Sequence, residues 1–214
     1  MIITIGGIKG GTGKSTIAVN LACYLAEQKK KKVLLIDADD QATTTDFTNM
    51  RANTKEDTGF TCVQLQQETV RTQVNKLYEN YDFVVIDTGG RDTTSQRAAL
   101  TISNILILPF APRSFDVWTL DQASDLIGQV AVINPNLSAL AFLNRADPQS
   151  RGTDNGAARD AIEKYDNIKF VDAPVGNRKA IGDSTALGLS IFEHKPKNKK
   201  ALEEMTVLFD KVLK

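Results

Sequence analysis

At 214 residues, with 42% apolar and 24% charged side chains, the chain has an ordinary globular composition and enough length to bury one substantial core. Lysine plus arginine equal aspartate plus glutamate at 26 each, which excludes a strongly basic nucleic-acid binder and leaves only a local patch for such contacts. The two cysteines, Cys23 and Cys62, are too few for a disulfide framework and lack metal-ligand spacing. That usage suits a reducing cytoplasm. No apolar run reaches membrane-spanning length, and MIITIGGIKGG lacks the basic start and cleavage site of a signal peptide. A cytoplasmic protein is expected.

In chain order, Met1–Ile5 is a short β-branched run ending in glycines and reads as a buried strand. From Lys14 to Gln28 the period changes: Ile17, Leu21 and Leu25, with Ala18 and Ala22 beside them, form a helical stripe. The lysines of 29–32 read as a solvated turn before a strand at Val33–Asp37. Residues 41–60, polar and rich in threonine, read as loop plus a short helix. Further strands are expected at Phe83–Asp87, Ile105–Pro109, Leu137–Asn144 and Ile168–Asp172. Between them lie helix-length segments at Thr69–Tyr81, Thr93–Ser103, Phe115–Val132 and Asp154–Tyr165. The tail Pro196–Lys214 reads as a last helix with Leu202, Met205, Leu208 or Phe209, and Val212 on one side. Alternating strands and helices of this length indicate βαβ units. The expected architecture is α/β: one doubly wound, mostly parallel sheet with helices on both faces, in a single domain over residues 1–214.

The first strand leads into Lys9-Gly10-Gly11-Thr12-Gly13-Lys14-Ser15-Thr16. A glycine-rich turn between strand and helix aims several backbone N–H groups at one point, and the helix N-terminus adds partial positive charge there. Such a loop holds the phosphates of ATP. Lys14 supplies a cation to the β- and γ-phosphates, and Ser15 is placed to ligate Mg²⁺. The standard phosphate loop has glycine where Ile8 stands. With a second lysine, Lys9, at its start, the segment instead resembles the deviant Walker A loop of the ParA/MinD family, small cytoplasmic P-loop ATPases that position DNA, division sites or other cargo. The resemblance implies that Lys9 crosses a dimer interface to the partner's nucleotide, hence an ATP-sandwich homodimer.

Asp37 and Asp87 each close an apolar strand and therefore face the same end of a parallel sheet as the phosphate loop. Carboxylates there suit Mg²⁺, although an aspartate closing a strand also serves as a turn former. Asp37-Ala-Asp39-Asp40-Gln41 resembles the family's Asp-x-Asp-Pro-Gln box, which assigns Asp37 to the Mg²⁺ shell and Asp39 to the attacking water; Asp40 replaces the proline. After Asp87 stand Thr88-Gly89-Gly90-Arg91-Asp92, whose glycines suit a moving switch segment. The roles of Arg91 and Asp92 stay open. By the same resemblance Asn144 and Pro174 flank the adenine, and the tract from Arg178 to Glu193 carries a carboxy-terminal Ala…Gly…Glu spacing of partition ATPases. The likeness spans nearly the whole chain and is strongest at residues 1–45 and 82–90.

Three functions follow from the resemblance. The first is partition of plasmid or other DNA, or positioning of cargo, as in short ParF-like partition ATPases. There ATP drives dimerisation and binding to nonspecific duplex DNA, and a ParB-like, centromere-binding or cargo adaptor protein stimulates slow hydrolysis. Such a protein is cytoplasmic and nucleoid-associated, and Arg178, Lys179, Lys195, Lys197, Lys199 and Lys200 are the candidate phosphate-backbone contacts. The second is a membrane-cycling positioner of the MinD type, which needs a basic amphipathic tail. Glu203, Glu204 and Asp210 argue instead for packing on the domain and against stable membrane association. The third is a metabolic enzyme on the same scaffold; no cysteines follow Cys62 to hold an iron–sulfur cluster.

Overall fold

The computed structural model describes residues 1–112, 117–147 and 153–214. The strands are β1 (Ile2–Ile5), β2 (Val33–Ala38), β3 (Thr61–Gln64), β4 (Phe83–Thr88), β5 (Ile105–Phe110), β6 (Ser138–Ala146), β7 (Lys169–Phe170) and β8 (Val175–Gly176). They lie in the order β3-β2-β4-β1-β5-β6-β7, with β8 pairing the far end of β6. Every pairing is parallel. The central strands are apolar on both alternating sides because both faces are covered. Ile3, Ile5, Leu35 and Val85 pack with α1 (Lys14–Cys23) and α8 (Lys199–Val212). On the other face, Leu34, Ile36, Val84 and Ile86 pack with α3 (Thr69–Leu77) and α4 (Thr94–Leu100). Leu106 and Leu108 pack there with α5 (Val117–Ala131) and α6 (Thr153–Ile162). The expected doubly wound sheet is the one observed.

Several local expectations change. Residues 41–60 hold a full helix, α2 (Thr43–Thr54), because tertiary partners override weak propensity. Its first turn bonds to Asp37 and Asp87, and its Arg51 is fully buried. Strand β3 went unread: on the sheet edge, two exposed residues flanking two half-buried ones leave little hydrophobic pattern. The strand expected at Ile168–Asp172 shrinks to two residues, as the chain turns away after Val171 N–H bonds to the Ala141 carbonyl. Helix α1 runs on as a π turn, Tyr24–Gln28, and α3 ends in a 3₁₀ turn, Tyr78–Asn80. Of the helix expected at 115–132, residues 115 and 116 lie outside the described residues.

The last helix seats Ala201, Met205, Leu208, Phe209 and Val212 in the core against α1, with Tyr24, Phe192 and Phe209 forming an aromatic cluster. Its apolar side is therefore used up internally. Among the described residues no helix is long and apolar enough to cross a membrane.

Candidate active site

The loop after β1 enters α1 through Gly13, whose φ of 91° and ψ of 22° lie in the left-handed region that favours glycine. A side chain there would also run into Asn144 Nδ2, at 2.4 Å from the Cβ position. The helix start has no side-chain cap and no acidic residue in its first turn, so its N–H groups are available to an anion. Gly10, Gly11, Gly13, Lys14, Ser15 and Thr16 line a cavity of about 720 Å³ in front of it. Lys14 Nζ donates to the Lys9 carbonyl at 2.9 Å, curling the loop around its own lysine. Burial pulls the Lys14 pKa down, against Asp87 and Asp39, which raise it. Lys9 is half-buried; Thr12 is buried, and its Oγ1 has no hydrogen-bond partner.

Both strand-end aspartates are fully buried beneath this cavity, and parallel β2–β4 pairing places Asp37 directly beside Asp87. Helix α2 holds each of them. Thr45 donates from its N–H and its hydroxyl to Asp37 Oδ2, both at 2.7 Å, and Asp39 N–H donates to Oδ1 at 3.2 Å. Thr44 donates its hydroxyl to Asp87 Oδ2 at 2.7 Å. Burial pushes the Asp87 carboxyl up to about 7, against the nearby hydroxyls of Thr44 and Ser15 that lower it. Among the described residues no group makes a hydrogen bond to the buried Asp87 Oδ1, although the Ser15 hydroxyl lies close to this carboxyl. An orphaned carboxylate oxygen next to a phosphate loop and Ser15 is what a hard cation would satisfy. The residues present therefore fit Mg²⁺, which Ser15, Asp37 and Asp87 would hold. Among the described residues no cluster of three or more His, Cys, Asp or Glu side chains converges to hold a metal unaided.

Asp39 lines the cavity with Asp40 and Gln41, and its Oδ1 accepts from Gln41 N–H at 3.1 Å. The two glycines after Asp87 serve close approach: neither takes a left-handed φ. A Cβ on Gly89 would lie 3.2 Å from Asp39 Oδ1, and one on Gly90 would lie 2.6 Å from both Cα and N of Gly10. The segment after Asp87 is thus seated on the phosphate loop and against Asp39 at once.

The two residues expected to flank adenine line neighbouring cavities. Asn144 lines a cavity of about 280 Å³ that continues the phosphate site past Gly13 and Thr16. Its Nδ2 donates to the Thr12 carbonyl at 2.7 Å, bracing the loop. Pro174 lines an adjoining cavity of about 390 Å³ with Phe170 and Asp172, which shares Gly176 and Arg178 with that of Asn144. Arg145, which the sequence did not single out, borders both the cavity before the glycine loop and the one Asn144 lines, and has a left-handed φ of 55°, rare for a residue with a side chain. Thr44 and Thr45 were missed too, since nothing in a threonine run marks which hydroxyl faces a carboxylate. Of the basic cluster, Lys179, Lys195, Lys197, Lys199 and Lys200 are exposed. Arg178 does not join them: its guanidinium pairs with Glu204 at 2.6 Å, half-buried.

A family model described as the CobQ/CobB/MinD/ParA nucleotide binding domain matches residues 3–191. The chain is 31% identical over 205 residues to "Maintenance of carboxysome distribution protein A" of Gloeobacter kilaueensis, covering 94% of this chain and 88% of that protein. It is 26% identical over 213 residues to the protein of the same name from Halothiobacillus neapolitanus, covering 99% and 95%. A putative plasmid partition protein of Borrelia burgdorferi, solved with AMPPNP bound, superposes with a TM-score of 0.76 at 21% identity, covering 97% of this chain and 96% of that one. At that identity the likeness is one of fold.

Proposed function

The chain belongs to the CobQ/CobB/MinD/ParA nucleotide-binding domain family, and from that premise we propose that it is an ATPase that positions cargo, DNA or a protein body, by ATP-dependent dimerisation and reversible DNA binding. The observation that carries the reading is the uncapped, glycine-rich loop facing two buried carboxylates, one with an unpartnered oxygen. Relatives named for carboxysome distribution and a fold neighbour named for plasmid partition support positioning as the task.

In this reading Lys14 and the α1 N-terminus hold the phosphates, and Ser15, Asp37 and Asp87 would hold Mg²⁺. Bound there, Mg²⁺ would supply positive charge to the phosphates. Asp39 orients the attacking water, held in place by Gln41 N–H and by the seated Gly89 backbone. Phosphoryl transfer needs such positioning more than a strong base. Lys9 reaches the nucleotide of a second copy, and Asn144 fixes the loop between phosphates and nucleoside. The exposed lysines Lys179, Lys195, Lys197, Lys199 and Lys200 supply nonspecific contacts to DNA phosphates, which makes the protein nucleoid-associated in the cytoplasm. An adaptor protein accelerates hydrolysis and release. The buried apolar side of α8 favours this reading over a tail that inserts into membranes.

The test is binding to random-sequence duplex DNA at low salt with ATP and then with ADP. Binding with ATP alone, and an affinity falling linearly in log–log against salt, is expected. No DNA binding in either state by a protein that binds ATP would refute DNA-based positioning.

A further inference from the structure

The phosphate cavity has two distinguishable ends. At one end Gly13, Thr16 and Arg145 are shared with the adjoining cavity that Asn144 lines. At the other stand Asp39 and the segment Gly89–Arg91. The terminal phosphate of ATP belongs at the second end, beside the residue that orients water. That end is rich in carboxylates, with Asp39 and Asp40 on the wall and Asp37 and Asp87 beneath it. Lys14 is the loop's cation for its own chain, with Lys9 assigned above to a second copy, and each further cation adds to the stabilisation of negative charge developing on a transferring phosphoryl group.

Arg91 occupies that end and is exposed. It makes no hydrogen bond or ion pair among the described residues, whereas its neighbours on both sides are pinned. Upstream, Gly90 rests on the backbone of Gly10 and Lys9. Downstream, Asp92 takes a two-pronged bond from Arg97, Nε to Oδ1 at 2.7 Å and Nη2 to Oδ2 at 2.5 Å. Arg97 in turn donates to Gln129 on α5 at 2.9 Å. Residue 91 is therefore a fixed attachment point for a free guanidinium one residue from the phosphate loop. Its planar fork matches phosphate oxygens in pairs.

We propose that Arg91 is a further phosphate-contacting residue, whose guanidinium engages the terminal phosphate of ATP bound to its own chain and so distinguishes ATP from ADP. The inference rests on the ATPase reading above. It also gives the Asp92–Arg97–Gln129 chain a purpose, since those bonds keep the attachment point from drifting.

Affinities for ADP and for AMPPNP, with Mg²⁺, are measured by calorimetry on the full chain and on Arg91→Ala and Arg91→Lys. Because Arg91 is exposed and unpaired, both variants keep the wild-type melting temperature. Arg91→Ala loses about tenfold or more in AMPPNP affinity, with ADP changed less than about twofold, and Arg91→Lys recovers part of the loss. Equal losses for both nucleotides would overturn the assignment by making Arg91 a support of the whole loop. No loss for either would overturn it in favour of the neighbouring cavity of about 510 Å³, which Arg91 also borders. A wild-type chain that binds neither nucleotide would fail the ATPase reading itself, and this inference with it.

Discussion

Replacing Glu193 with glutamine should destabilise the protein by about 3 kcal/mol at neutral pH, although the residue is remote in sequence from every nucleotide-site element. Arg51 is 0% exposed and Glu193 15%. The guanidinium meets the carboxylate in a fork, Nη1 to Oε2 at 2.8 Å and Nη2 to Oε1 at 3.0 Å, and Lys55 bonds to Oε1 as well. Ser190 closes the site, donating to Oε2 from its N–H at 3.0 Å and its hydroxyl at 2.8 Å. Burial alone would raise the Glu193 pKa, but Arg51, Lys55 and Ser190 bring it from an ordinary 4.5 down to about 2. A carboxyl held that far below its ordinary range contributes on the order of 3 kcal/mol to the folded state. Breaking a buried pair by removing one partner costs about 3–5 kcal/mol by an independent route, because the remaining charge is stranded. Arg51 keeps the carbonyls of Thr58 and Gly188 and a longer contact to Glu27 at 3.4 Å, which favours the lower figure.

Because the folded pKa is depressed, this contribution is fully present above about pH 4.5 and is lost as pH falls toward about 2. Urea unfolding at pH 7 and at steps down to pH 3 measures both effects. Wild type should lose stability over that window, and Glu193→Gln should start about 3 kcal/mol lower and lack this part of the slope. A variant within about 0.5 kcal/mol of wild type at pH 7, or one with the wild-type pH slope, would refute the reasoning. Arg51 lies on α2, the helix whose first turn holds Asp37 and Asp87.

Two further substitutions test the site directly. Lys14→Ala should abolish ATP and ADP binding measured by calorimetry while leaving the fold intact by circular dichroism; ordinary nucleotide binding would remove the phosphate-loop assignment. Gly90→Ala should cost about 1–3 kcal/mol, since its Cβ meets backbone atoms of Gly10 at 2.6 Å that no rotamer change can relieve. Gly10→Ala, with nothing within 4 Å of its Cβ position, is the control, and thermal melts without nucleotide should separate the two.

Most of the architecture was legible because its signals are local or strictly periodic. Runs such as Val33–Ile36 and Val84–Ile86 are apolar on both faces, which only a doubly covered parallel strand tolerates. The edge strand β3 and the two-residue β7 were not legible as they are, since a strand paired on one side carries half the pattern. The helix α2 was underestimated because its stability lies in long-range bonds: Thr44 to Asp87, Thr45 to Asp37, and Arg51 to Glu193, 142 positions away.

The glycine-rich loop, the two strand-end aspartates and the parallel sheet that brings them together were readable from the sequence, because each depends on spacing within a few residues. Tertiary structure decided which groups are satisfied and which are left over. It consumed Arg178 on Glu204 and Asn144 on the Thr12 carbonyl, and it left Asp87 Oδ1 without a partner. It also turned two apparently flexible glycines into a contact surface between Asp87, Asp39 and the loop. Hydrogen-bond satisfaction and close approach are properties of pairs of atoms distant in the chain, and only the folded arrangement specifies them.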